Sequence, residues 1–195
     1  MEVKIQNQII DYFSFFEEFH LLSKASLKDC QNCAVAINKL IKRCRNIKEA
    51  EVTGTPFEEF AGLQNKLCAS ILNLISEEIQ EIRSKLAGIE DLFEKLCNKN
   101  KVFQETCRGI NFKEQTLLIK GTPLQPSLKQ LLEFAEETLT FASQVCAQIE
   151  TSLDVLTFKG LNTESLSEHF CIEPHLQHRI SEIIAYTSFC SENRI

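Results

Sequence analysis

Cys30-Gln31-Asn32-Cys33 has the CxxC spacing of a thiol-disulfide pair, a chemistry that works when one thiolate is stabilised at a helix start. Here the pair falls deep inside an expected helix, with both sulfurs on its apolar seam, where cysteine packs as a small hydrophobe. No second CxxC completes a zinc site. The denser group is His169, Cys171, His175 and His178, because imidazole and thiolate are zinc ligands and four of them could close a tetrahedron. Yet His169 and Cys171, two residues apart, would diverge on a helix, and the spacing matches no established metal motif. Packing and surface roles are the expectation for both groups, with no metal and no cofactor. His20 stands alone as a surface or seam residue.

Other chemistries leave no trace. There is no GxxxxGK loop, no serine elbow and no HExxH helix, and the many glutamates fall on expected solvent faces. An enzyme is not expected. Charge is unevenly spread over a net of −6. Residues 133–173 hold eight acids against the single base Lys159, whereas Lys39, Lys42, Arg43, Arg45 and Lys48 fall within ten residues that contain no acid. Such a run is usually a solvated helix face, so direct nucleic-acid contact is not the expectation.

The elements that carry these residues are read from spacing. Ile9, Tyr12, Phe16, Phe19, Ser23, Ser26, Cys30, Cys33, Ile37, Leu40, Cys44 and Ile47 alternate steps of three and four without a break. A second run, Ile75, Ile79, Ile82, Leu86, Ile89, Phe93 and Leu96, keeps the rhythm. A broader apolar band at Leu67, Ile71, Leu72 and Leu74 precedes it, implying burial on more than one side. Leu128, Leu132, Ala135, Leu139, Ala142, Cys146, Ile149, Leu153 and Leu156 form a third run. Sustained three-four spacing keeps one stripe against a partner helix.

Boundaries agree with the runs. Thr55-Pro56-Phe57-Glu58 offers a capping Thr, Pro at the first helical position and Glu three residues after the cap, and Gly109 is a natural stop. Ser127-Leu128-Lys129-Gln130 repeats the capping logic, with Gly160 as the stop. Leu176, Ile180, Ile183 and Ile184 mark a short closing helix after Pro174 that folds back as a lid. The expectation is an all-α fold: an elongated antiparallel bundle of three long coiled-coil-like helices plus a short C-terminal helix. The helices would cover about 3–50, 56–108, 127–159 and 174–193, with a loop over 109–126, in one domain over 1–195. The 195 residues are enough for one domain with a real core. The start, Met1-Glu2-Val3-Lys4, lacks a signal-peptide pattern, and no run of about 18 apolar residues exists. An intracellular chain with nine reduced, mostly buried thiols is expected.

Ser26-Leu27-Lys28-Asp29-Cys30-Gln31 resembles a segment of the AIRIM family of ribosome maturation factors, which interact with AAA ATPases. Residues 60–108 look like that family's long second helix, Gln125-Pro126-Ser127 resembles the approach to its third, and residues 180–192, with Ser188-Phe189, are similar to its closing helix. The chain departs from the family pattern in having Phe134 and Phe158 but no Trp, and no Lys or Arg over 140–156. The resemblance implies a non-catalytic adaptor in the cytoplasm and nucleus. It would join AAA ATPase subunits and a second small helical protein, and assist large ribosomal subunit maturation and replication-associated protein turnover on chromatin. Association with pre-ribosomes and chromatin would be indirect, and no membrane is involved. No individual partner-binding residue carries over. The spacing alone equally fits a coiled-coil subunit of a vesicle-tethering or kinetochore assembly.

Overall fold

The computed structural model describes residues 2–114, 116–123, 125–158 and 166–192. Among them all regular structure is helical: α1 (Glu2–Glu49), α2 (Leu63–Cys107), α3 (Leu117–Lys120), α4 (Leu128–Phe158) and α5 (Pro174–Glu192), with single 3-10 turns at Pro56–Glu59 and Leu166–Phe170. No described helix is long and apolar enough to cross a membrane. The all-α expectation holds. So does the capping box that opens α4: Ser127 N–H donates to Gln130 Oε1 (3.0 Å), and Gln130 N–H donates back to Ser127 Oγ (3.3 Å). Gly160 lies outside the described residues, as does the side chain of Leu156.

Two local features differ from the spacing-based reading. Thr55 does cap a turn, its hydroxyl accepting from Phe57 N–H, but that turn ends at Glu59 and α2 opens only at Leu63. Gly62 sits at φ +73°, in the left-handed region, so one continuous helix cannot pass through it. The expected loop over 109–126 contains α3, because the Thr116 hydroxyl caps Ile119 N–H and Leu118 is buried. Gly121 ends α3 at φ +80°, and a Cβ there would stand 2.7 Å from the Ser127 nitrogen.

The chain divides into two compact units, and α1, α2 and α4 contribute to both. The first comprises Met1–Ala25, Gly88–Ala147 and Ile172–Ile195. Its core is aromatic: Tyr12, Phe13, Phe16, Phe19, Phe103, Phe134 and Phe141 are all buried. Tyr12 stacks on Phe103 at 5.9 Å between centroids and donates its hydroxyl to Ala135 O at 2.9 Å, with the Thr138 hydroxyl also at 2.9 Å. Contacts of Tyr12 with Ala135 and Thr138, then of Phe16 and His20 with Phe141, advance together, so α4 runs parallel to α1 here. Contacts of Phe134 with Tyr186 and of Glu137 with Arg179 show α5 antiparallel to α4.

The second unit comprises Ser26–Ala87 and Gln148–Cys171. Its interior is built from Leu27, Cys30, Cys33, Ala34, Ile37 and Ile41 of α1 against Cys68, Ile71, Ile75 and Ile82 of α2, with Ile149, Leu153 and Phe170. Lys85 pairs with Asp29 at 3.0 Å and Gln64 Nε2 donates to Ile47 O at 2.8 Å, so α1 and α2 are antiparallel in this unit.

Candidate partner-binding surfaces

The residues with chemical potential are used structurally. Cys30 and Cys33 lie on the buried seam, and burial pushes their thiols up to about 11 and 12, the second helped by its hydrogen bond to Glu78. Both are protonated at neutral pH, the opposite of what a redox pair requires. Cys30 and Cys33 are free thiols, not joined to each other.

His169, Cys171, His175 and His178 do not converge: among the described residues no group of three or more His, Cys, Asp or Glu side chains is placed to hold a metal ion. His169 lies within the Leu166–Phe170 3-10 turn, Cys171 follows that turn outside regular structure, and His175 and His178 lie in the first turns of α5. His175 Nδ1 is 3.2 Å from Glu173 Oε2, and His178 Nε2 is 3.5 Å from Glu182 Oε1, all on exposed side chains.

What organises this segment is a pair of glutamines that spacing did not single out. Gln148 Nε2 donates to both His169 O and Cys171 O at 2.7 Å, and Gln31 Nε2 donates to Cys171 Sγ at 3.0 Å. They satisfy carbonyls that no helix pairs and hold Phe170 in the core. Polar residues flanking a buried aromatic were the only sequence trace of this clamp.

In the first unit, a groove of about 520 Å³ runs between α4 and α5, lined by Glu133, Glu136, Phe141, Leu176 and Ile180. Arg179 closes one side with a two-pronged bond to Glu137, at 2.8 and 2.9 Å, and a third bond to Glu182 at 3.2 Å. The guanidinium, through these hydrogen bonds, holds the Glu137 carboxyl below its usual range. The groove is thus acid-rimmed with an apolar floor.

The second unit presents a different surface. Ile71 is buried, but Leu67, Leu72 and Leu74 are 43%, 48% and 43% exposed. At 100° per residue, Leu67 and Leu74 share one shoulder of the buried stripe and Leu72 lies on the other. The burial on more than one side implied by this band is therefore not met among the described residues. Next to it the 50–62 connection displays Phe57 and Phe60, 58% and 62% exposed. That connection is well braced: Glu58 Oε2 accepts from Gly54 N–H at 2.9 Å, the Thr55 hydroxyl donates to Val52 O at 2.7 Å, and Gln64 also reaches Ala50 O. The exposed leucines of α2 and the exposed rings of the connection before it are large apolar side chains left in solvent, the kind of surface that marks interaction sites.

Comparison with curated proteins finds no match. The family described as CA109-like, ribosome biogenesis protein C1orf109-like, matches residues 3–189, a span that takes in all five helices apart from the ends of α1 and α5. That family is also the AIRIM family. With nearly its whole length matched, this chain belongs to the C1orf109-like family of ribosome biogenesis proteins.

Proposed function

We propose that the chain serves ribosome biogenesis as a non-catalytic adaptor subunit of an AAA ATPase complex, joined there by a second small helical protein. The observation that carries this reading is the leucine band of α2, whose shoulders at Leu67, Leu72 and Leu74 stay exposed beside a buried stripe. A helix with apolar residues on both flanks of its core face packs one neighbour inside the chain and offers the flanks to another. Membership of a ribosome biogenesis family supports the setting, and with it a place of action in the nucleus; action in the cytoplasm as well rests on the resemblance alone. Assistance to large-subunit maturation and to replication-associated turnover on chromatin follows from the resemblance to ATPase-interacting maturation factors. The protonated thiols of Cys30 and Cys33 favour a binding role over thiol catalysis.

The test is isolation of the full chain at native level from cell extract, with bound proteins identified by mass spectrometry, in parallel with a Leu67→Ser, Leu72→Ser, Leu74→Ser variant. AAA ATPases and a small helical protein should be recovered with the native chain and lost with the variant. Recovery of vesicle-tethering or kinetochore subunits in their place would overturn the adaptor assignment. ATPase capture that survives in the variant would remove the band as the contact.

A further inference from the structure

We infer that the outer face of α1 in the second unit is a binding track for single-stranded RNA, with Phe57 and Phe60 as its base-stacking end. Lys28, Lys39, Lys42 and Arg43 are all exposed, and at 100° per residue they fall within an arc of about 100° on the side of α1 opposite Ile37 and Cys44. From Lys28 to Arg43 the stripe is about 22 Å long. Over residues 26–48 the only acid is Asp29, which Lys85 neutralises at 3.0 Å. None of Lys28, Lys39, Lys42, Arg43, Arg45 and Lys48 forms a salt bridge among the described residues. In a chain of net charge −6 this is an isolated, uncompensated positive surface.

Two observations favour RNA over an acidic protein. The stripe carries a single exposed apolar side chain, Val35, so a partner helix would find no seam to bury along it, whereas a phosphate backbone needs only the charges. The chain then leaves α1 directly into the braced connection that holds Phe57 and Phe60 in solvent. Exposed rings at the end of a basic track are what unstacked bases bind, since every base has a π-face. Glu51 and Glu59 flank the rings, and Glu58 is taken up by Gly54 N–H, so phosphates lie along α1 and bases reach the loop. Membership of a ribosome biogenesis family supplies a setting rich in such RNA. This departs from the reading of the basic run as a merely solvated face. It does not depend on the adaptor role, because it uses none of the residues of the leucine band.

The experiment is fluorescence anisotropy of the full chain with a labelled single-stranded RNA of about 15 nucleotides, the same RNA as a duplex, and a polyglutamate peptide, at several salt concentrations. Single-stranded RNA should bind most tightly, with affinity falling as salt rises. The Lys39→Glu, Lys42→Glu, Arg43→Glu variant should bind at least about tenfold more weakly and flatten the log-log salt slope by about 2, at roughly 0.7 per phosphate contact. Phe57→Ala with Phe60→Ala should weaken binding about tenfold, leave the slope unchanged and erase the preference over duplex. Should the triple variant lose its helical circular dichroism, Lys42→Gln alone should still lower the slope by about 0.7. Absence of salt-dependent RNA binding by the native chain, equal binding by the charge variants, or polyglutamate binding as tight as RNA would each overturn the inference. The last outcome would identify an acidic-protein site.

Discussion

The first unit fills its interior with rings and the second with aliphatic chains and thiols, and the contrast follows the division between support and display. Among the described residues, seven buried aromatic residues serve the first unit, against Phe170 in the second, where Cys30, Cys33 and Cys68 take core positions. A ring removes far more apolar area from water than a thiol, so each core position of the first unit contributes more stability. The second unit instead leaves Phe57, Phe60, Leu67, Leu72 and Leu74 in solvent and carries the basic stripe of α1. A smaller core beneath unpartnered surface suits a region that gains its remaining burial from what it binds.

The sharpest way to break the contrast is truncation in each core. Phe103→Ala, fully buried and in contact with Tyr12 and Phe13, should destabilise by about 3–5 kcal/mol in urea unfolding. Cys33→Ala in the second unit should cost about 1 kcal/mol. Equal losses would mean that the second core carries as much as the first.

Next in size is Gly121→Ala, which should cost about 2 kcal/mol or more. Its new Cβ would meet the backbone at Ser127 and Gln125 in a left-handed conformation, and none of those atoms can move aside. Gly88→Ala, inside α2 with open space around it, should by contrast raise stability by about 0.5–1 kcal/mol. Thermal melts of the two variants should therefore shift in opposite directions.

The aromatic core also contains a titrating group. His20 lies against Phe16 and Phe141, its Nδ1 is buried without a partner, and burial, aided by the charge of Lys24, lowers its pKa below 6.5. The folded state therefore prefers neutral imidazole, and the unfolded chain takes up the proton first as pH drops. His20 favours folding above pH 6.5, and that contribution is lost as pH falls from 6.5 to the lowered folded value. Urea midpoints measured between about pH 5 and 7.5 should show this loss, and His20→Phe should remove it. An unchanged pH dependence in that variant would place the effect elsewhere.

The smallest effect is expected at Arg179, whose partners are two-fifths exposed and well screened. Arg179→Ala should cost about 1 kcal/mol or less at neutral pH. With the Glu137 pKa lowered, the contribution is present above about pH 4.5 and fades as pH falls through the folded value. A larger loss would show that α5 is held to α4 by this clamp more than by Ile180 and Ile183.

The seams were legible because burial on a helix repeats at steps of three and four. Ile9, Tyr12, Phe16, Phe19, Ser23, Cys30, Cys33 and Ile37 are all buried, as are Ile75, Ile82, Ile89 and Leu96 on α2. The Ser127 capping box was legible for the same local reason, its partners lying three residues apart. Hydrophobic spacing and local caps were enough to determine an all-helical fold and its long helices, whereas the family was legible only through the resemblance of particular segments. Tertiary structure alone decided that Gln31 and Gln148 hold the Cys171 segment, since their partners lie 140 and 23 residues away in sequence. It alone decided that Leu67, Leu72 and Leu74 stay in solvent while Ile71 does not. Periodicity tells that a residue is apolar and on which side of its helix it lies; only packing tells whether anything comes to cover that side.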